Sequence, residues 1–175
     1  LIRRQRQMCI RDRNIMKMEW KEKQLDSNKA QKGVIFKEIQ RFGDDRGIFT
    51  NIPFQLEDKI NLTFKRSYTI TNHQSGIVRA FHGHKKEGKL FYVPKGAFKF
   101  IIMDMETKEW KEYILLESIP KVLYVPGGYY NGFVSLTSEA ILVTFSTASM
   151  QESINDDYRL PYDFLGIDVW KIKNR

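Results

Sequence analysis

The stretch VRAFHGHKKEGKLFYVPKG, residues 78–96, sets two histidines two apart inside an apolar run and places a lysine five residues after the second. On a β-strand successive side chains leave opposite faces, so His82 and His84 point the same way and Gly83 points away from them. Arg79 has the opposite parity to His82 and joins the pair only if the strand bulges or if Arg79 stands at the strand's mouth. The chain holds three histidines in all. Two of them at this spacing, in an apolar strand, indicate a site more readily than a solvated rim, although the rim reading stays open.

Outward from this stretch the same period continues. Short runs rich in Val, Ile, Phe, Tyr and Thr occupy 34–40, 47–52, 62–70, 76–84, 89–93, 97–104, 109–116, 122–125, 132–136 and 140–147. Turn-forming clusters such as NHQSG, PKG, DMETKE and PGG separate them. No sustained helical period interrupts the series, so the expected fold is all-β, an antiparallel sandwich or barrel. YVPKG (92–96) and YVPGG (124–128) read as a repeat, consistent with a barrel of two similar halves. The tail NDDYRLPYDFLGIDVW, 155–170, alternates aromatics with acids and is expected to pack on the barrel.

Composition bounds the alternatives. At 175 residues with 42% hydrophobic and 13% aromatic residues, the chain reads as one folded domain and not as a disordered one. No apolar run reaches the roughly 18 residues of a membrane span, and a cytoplasmic protein is the expectation. The net charge of +8 is uneven. Residues 1–17 carry six cations and one acid, a net +5, which leaves +3 for the rest, so a nucleic-acid partner is not expected. Residues 1–17 have no strand or helix period and resemble the translated read-through of a sequencing adapter. They are taken as a non-native or disordered segment, with the natural start at Met16 or Met18. Residues 18–33 read as a polar leader and 34–175 as a single domain. Cys9, the only cysteine, can form no internal disulfide.

Gly76, His82, His84, Lys89 and Gly96 stand at the spacing of the first cupin motif, with lysine where that motif has an acidic ligand. The second motif, Pro-x-Gly-x-x-His, corresponds to Pro126 through Asn131, with asparagine in the histidine place. The resemblance spans about 34–147 and implies a jelly-roll barrel, the double-stranded β-helix. Two imidazoles, an ammonium and an amide suit a divalent cation poorly, because the ammonium repels it and two ligands are lost. No metal and no cofactor is expected. An ammonium beside an imidazole instead keeps the imidazole neutral, able to accept a proton, and can stabilise an enolate oxygen.

Within the cupins, FGDDRGIF (42–49), VRAFHGH, GKL, VPGGYYNGFVSL (125–136) and LGIDVW (165–170) resemble the dTDP-4-dehydrorhamnose 3,5-epimerases. The resemblance implies an isomerase of dTDP-rhamnose and cell-surface polysaccharide biosynthesis, acting on a nucleotide-linked 4-keto-6-deoxy sugar. In it His82 is the base, Lys89 stabilises the enolate, and Arg79 and Arg46 hold the nucleotide-sugar. It departs in three places. Asn131 replaces a histidine, the family's acidic tyrosine falls near Thr144 or Phe145, and the aspartate that orients the base would lie beyond the chain's end. Tyr129 or Tyr130 is a candidate replacement acid.

KRSYTI (65–70), VRAFHGHKK (78–86) and DDYRLPYDF (156–164) also resemble the sugar 3,4-ketoisomerases. That resemblance implies proton shuttling by both His82 and His84, with Arg66 and Tyr68 orienting the substrate; Asn131 and Tyr130 complete the expected contacts. A silent nucleotide-sugar binder, and a metal held by the two histidines with outside ligands, are the readings from other classes. Both enzyme families imply a homodimer that shares N-terminal strands, here 34–52.

Overall fold

β9 (Ala97–Asp104) shows how the fold is built, in a computed structural model that describes residues 31–57 and 60–173. Phe98, Phe100 and Ile102 leave one face of the strand for one buried cluster, and Ile101 and Met103 leave the other face for a second. A strand covered on both sides is mostly apolar, which is why AFKFIIMD lacks the polar alternation of a surface strand; its buried Lys99 pairs with Glu112 at 3.2 Å.

Two antiparallel five-stranded sheets result. One runs in the order β1 (Ile35–Glu38), β11 (Lys121–Val125), β8 (Lys89–Lys95), β13 (Ile141–Ser146), β6 (Arg66–Thr71). The other runs β10 (Trp110–Leu116), β9, β12 (Tyr129–Ser135), β7 (Val78–His84), β14 (Tyr158–Arg159). Non-sequential neighbours in both sheets make this the jelly roll that the cupin motifs implied. β2 (Arg41–Asp44) with β3 (Gly47–Thr50), and β4 (Gln55–Glu57) with β5 (Ile60–Asn61), form separate hairpins.

Three apolar clusters follow from strand parity. Between the sheets Phe91, Phe98, Phe100 and Phe133 pack ring to ring, with Phe91 and Phe100 centroids 4.9 Å apart. Leu56, Ile35 and Ile39 from the early chain cover Leu90, Tyr92 and Val122 on the outer face of the first sheet. Trp170, with Leu160 and Leu165, covers Phe81, Ile101 and Met103 on the outer face of the second. The tail is tied down further by a reciprocal backbone pair between Phe81 and Leu160, at 3.0 and 3.1 Å. The indole of Trp170 donates to the Tyr162 carbonyl at 2.7 Å.

All ten expected strands form, with shifted ends. The repeat marks equivalent places: YVPKG leads from β8 to β9 and YVPGG from β11 to β12, each crossing between sheets. Gly96 and Gly128 turn those corners at φ of +78° and +95°, where a Cβ is strained. The short strands β2, β4, β5 and β14 were not expected, nor was helix α1 (Met150–Ile154) with its Ser149–Glu152 capping box. Residues Gly33–Arg175 form one compact unit. The readings placed on 1–17, on Cys9 and on most of 18–33 lie outside the described residues. Among the described residues no helix is long and apolar enough to cross a membrane.

Because Trp170 anchors the tail, Trp170→Ala is expected to lower unfolding free energy by about 3–5 kcal/mol. Urea denaturation measures the loss, and limited proteolysis should show new cleavage within 150–173.

Candidate active site

Parity selects what faces the barrel interior. On β8 Phe91 and Val93 point inward, so Lys89 does too. On β7 the outward Phe81 leaves His82 and His84 on the inner face. On β6 and β12 the inward positions include Arg66, Tyr68 and Asn131. These side chains line one cleft of about 1290 Å³, above the roughly 300–1,000 Å³ of most small-ligand pockets.

Gly83 is required by the face it turns away. A Cβ there would stand 2.5 Å from the Tyr130 ring, which packs flat against the outside of β7. Tyr130 therefore belongs to the outer cluster under the tail and does not line the cleft, contrary to its expected role as a substrate contact. Its neighbour Tyr129 lies in the core between the sheets, away from the cleft.

Arg79 reaches the cleft by a bulge. Asn131 pairs with His82 and Phe133 with Arg79, so three steps of β7 oppose two of β12. The additional residue reverses the parity and brings Arg79 to the face of the histidines. Its Nε donates to Asn72 Oδ1 at 3.0 Å. Arg46 is not brought to the cleft of its own chain. It sits at the turn of the β2–β3 hairpin, paired with Asp44, its side chain 85% exposed. Asn131 donates to the His82 carbonyl at 2.9 Å, fixing the backbone under the imidazole.

Beneath the cleft lies a buried charge cluster centred on Glu87, which the sequence reading did not single out. Its side chain is 1% exposed. Oε1 accepts from Ser146 at 2.6 Å and from Arg66 at 3.2 Å, while Oε2 accepts from Ser153 at 2.7 Å. His84 Nδ1 stands 3.0 Å from Oε2, close but bent away from hydrogen-bond alignment. Lys89 Nζ lies 3.8 Å from Oε1 and 2.8 Å from His84 Nε2. Burial would raise the Glu87 carboxyl, but the Lys89 charge and the two serine hydroxyls outweigh it and hold it below the usual range. Burial pushes Lys89 below the ordinary lysine value, with Glu87 opposing and Arg66 assisting. Burial first, then Lys89, lowers His84.

The tail supplies the other carboxylates. Asp156 accepts the backbone amides of Lys85, Lys86 and Glu87 at 2.8–3.2 Å, clamping the β7–β8 turn. Asp157 Oδ1 is shielded from solvent without a hydrogen bond and faces His82 Nδ1 at 3.6 Å, while Oδ2 accepts from Arg159 at 2.8 Å. The resemblance put the orienting aspartate beyond the chain's end, but the tail folds back as β14 beside His82 and brings Asp157 to it. His82 is 39% exposed on its side chain, open to a ligand. Burial pushes it below the usual imidazole value despite Asp157, and Arg159 and Lys89 add to the shift.

Tyr68 pairs in register with Thr144 and faces the cleft, its ring 5.1 Å from the Arg66 guanidinium carbon. Burial, with Glu87 adding, pushes its phenol above the ordinary value. Phe145 points into the outer cluster of the first sheet. Among the described residues, no three His, Cys, Asp or Glu side chains gather as a metal set.

The site can thus offer a neutral imidazole faced by a carboxylate, a buried ammonium and a protonated phenol to a ligand entering between Arg79 and Arg159. Comparison with known proteins places the chain. The spore coat polysaccharide biosynthesis protein SpsL of Bacillus subtilis (strain 168) is 28% identical over 137 residues, 75% of this chain and 89% of that protein. A dTDP-4-dehydrorhamnose 3,5-epimerase from Bacillus anthracis str. Ames, solved with TDP and PPi bound, superposes with a TM-score of 0.68 at 25% identity, covering 75% of this chain and 80% of that one. QdtA, a sugar 3,4-ketoisomerase from Thermoanaerobacterium thermosaccharolyticum solved with TDP, shares the fold with a TM-score of 0.63 at 24% identity, over 77% and 93% of the two chains. A family model described as "FdtA: WxcM-like, C-terminal" matches residues 32–166, most of the chain, and the protein belongs to that family.

Proposed function

We propose that the protein is an isomerase of a nucleotide-linked 4-keto-6-deoxy sugar, working as an epimerase by removing a proton α to the keto group. The observation that carries this reading is that a neutral, ligand-accessible His82 and a buried Lys89 enter one cleft from opposite sheets. His82 takes the α-proton through Nε2, with Asp157 behind Nδ1 stabilising the imidazolium that forms. The electron pair moves toward the carbonyl, and the Lys89 ammonium stabilises the resulting enolate oxygen. Tyr68, whose phenol stays protonated, is the donor we assign for returning a proton to carbon. Arg79 and Arg159 suit the diphosphate, since guanidinium pairs with phosphate oxygens through two parallel bonds. The reading requires no metal, because both ring nitrogens of His84 already face protein partners. The likeness to an epimerase at 25% identity supports the class of reaction.

A 3,4-ketoisomerase is the second reading, favoured by the inward placement of Arg66 and Tyr68 of KRSYTI. Incubation with dTDP-4-keto-6-deoxyglucose in heavy water, followed by NMR, separates the two. Deuterium at both C3 and C5 is expected. An unlabelled C5 with the keto group moved to C3 replaces the first reading with the second. Thermal stabilisation without any exchange leaves only a binder.

His82→Asn is expected to slow turnover by about 10²–10⁴-fold, with thermal stability close to wild type. The base must be neutral and its pKa is depressed, so the acidic limb of kcat/KM should fall below pH 6.5. The ammonium must be charged, so the basic limb should fall below 10.5. A limb at or above 6.5 on the acid side removes His82 as the base.

The homodimer belongs to the same proposal. The β2–β3 hairpin exposes Phe42, Ile48 and Phe49 at 57%, 71% and 64%, an apolar surface that a second copy would cover. Arg46, at the tip of that hairpin, is then free to reach a neighbouring cleft. Light scattering after gel filtration should report a dimer, and Phe42→Asp with Phe49→Asp should give a folded monomer.

A further inference from the structure

The two histidines of HGH have different surroundings. His82 is open to the cleft, whereas His84 is enclosed, 4% exposed on its side chain. One ring nitrogen of His84 faces a lysine amine at 2.8 Å and the other a carboxylate at 3.0 Å. An ammonium has only protons to give, and an ionised carboxylate has only lone pairs to receive them. With Lys89 charged and Glu87 ionised, a single arrangement is compatible with both neighbours: His84 is neutral, protonated at Nδ1 and bare at Nε2.

We propose that Glu87 is a positioning residue which, directly and through His84, keeps Lys89 as an ammonium inside the cleft, so that His84 orients the lysine and does not itself exchange protons with the substrate. The inference rests on the enolate-stabilising role given to Lys89 above and goes beyond it, naming what maintains the charge of a lysine that is otherwise buried.

The neighbours of Lys89 come from every element around it. β6 brings Arg66, which opposes its charge. β7 brings His84 and, more distantly, His82. The β7–β8 turn brings Glu87, and the tail brings Asp156 and Asp157, which favour the charge. Of the three carboxylates Glu87 alone pairs with the ammonium, at 3.8 Å. Ser146 and Ser153 hold that carboxylate from β13 and α1, so its position depends on the strand and on the capped helix. While these contacts last, Nε2 of His84 is engaged by Lys89 and Nδ1 is buried facing the Glu87 carboxylate.

The test reads protonation directly, on the full chain and without substrate. Nitrogen-detected imidazole spectra of wild type between about pH 6 and 8 are expected to show His84 neutral and protonated at Nδ1. The Nε2-protonated tautomer, or a cationic His84, overturns the proposal. In Glu87→Gln, the Lys89 amine titration is expected to move down by about one pH unit, the lower end of the shift a close opposite charge produces. Glu87→Asp, which retains the charge, is expected to restore most of it. An unchanged midpoint in Glu87→Gln overturns the proposal, and a purely structural role for Glu87 would lower the melting temperature without moving the midpoint. Should Glu87→Gln fail to fold, the wild-type tautomer alone still decides.

With turnover established, kcat of Glu87→Gln should fall about 10–100-fold at pH 8, less than the loss of an oxyanion donor outright, with KM little changed and the basic limb displaced toward acid. Because the spectra need no turnover, a wrong tautomer counts against this inference alone, and absence of isotope exchange counts against the isomerase reading alone.

Discussion

A carboxylate cut off from water must find all its partners within the protein, and Glu87 finds them on five elements or turns at once. Ser146 comes from β13, Ser153 from α1, Arg66 from β6, Lys89 from β8 and His84 from β7. The cluster holds two cations against one anion, with the imidazole neutral. Such clusters are a poor source of stability, since desolvation offsets the attraction between the charges. An apolar residue at position 87 would leave Arg66 and Lys89 buried without their carboxylate. The arrangement is therefore understood through what it does to the cleft, where it places a positive charge beside neutral imidazoles.

The fold serves this cluster by covering both sheets twice. The early chain shields the outside of one sheet and the tail shields the outside of the other, leaving the space between them for the core and the cleft. The tail has a second duty. Asp156 and Asp157 are adjacent, yet one clamps the turn that carries Glu87 and the other faces His82. Packing of Trp170 is linked to the position of His82 through the backbone pairing of Leu160 with Phe81, the residue before His82. Loss of the tail would therefore disturb the site before it disturbed the barrel core.

Much of this was legible in residue order. Alternation with period two placed ten strands, and the i, i+2 spacing put His82 and His84 on one face with Lys89 entering the next strand. Contacts made by residues far apart in sequence were less legible. Glu87 reads as one charge among KKEGK, and nothing local marks it as buried, because its partners Arg66, Ser146 and Ser153 lie 21 to 66 residues away. Tyr130 was expected among the substrate contacts, but the strand begins at Tyr129 and parity turns its neighbour outward against Gly83. Arg79 required a bulge that no residue type announces.

Periodicity and turn chemistry are properties of neighbouring residues, so the order of amino acids alone determined the all-β class and the common face of the histidine pair. Which of two similar histidines meets the ligand depends on burial, and burial is a sum over the whole chain. Only the closed barrel, with its tail folded back along β7, decided that His84 lies against Glu87 and Lys89 while His82 stays open with Asp157 behind it.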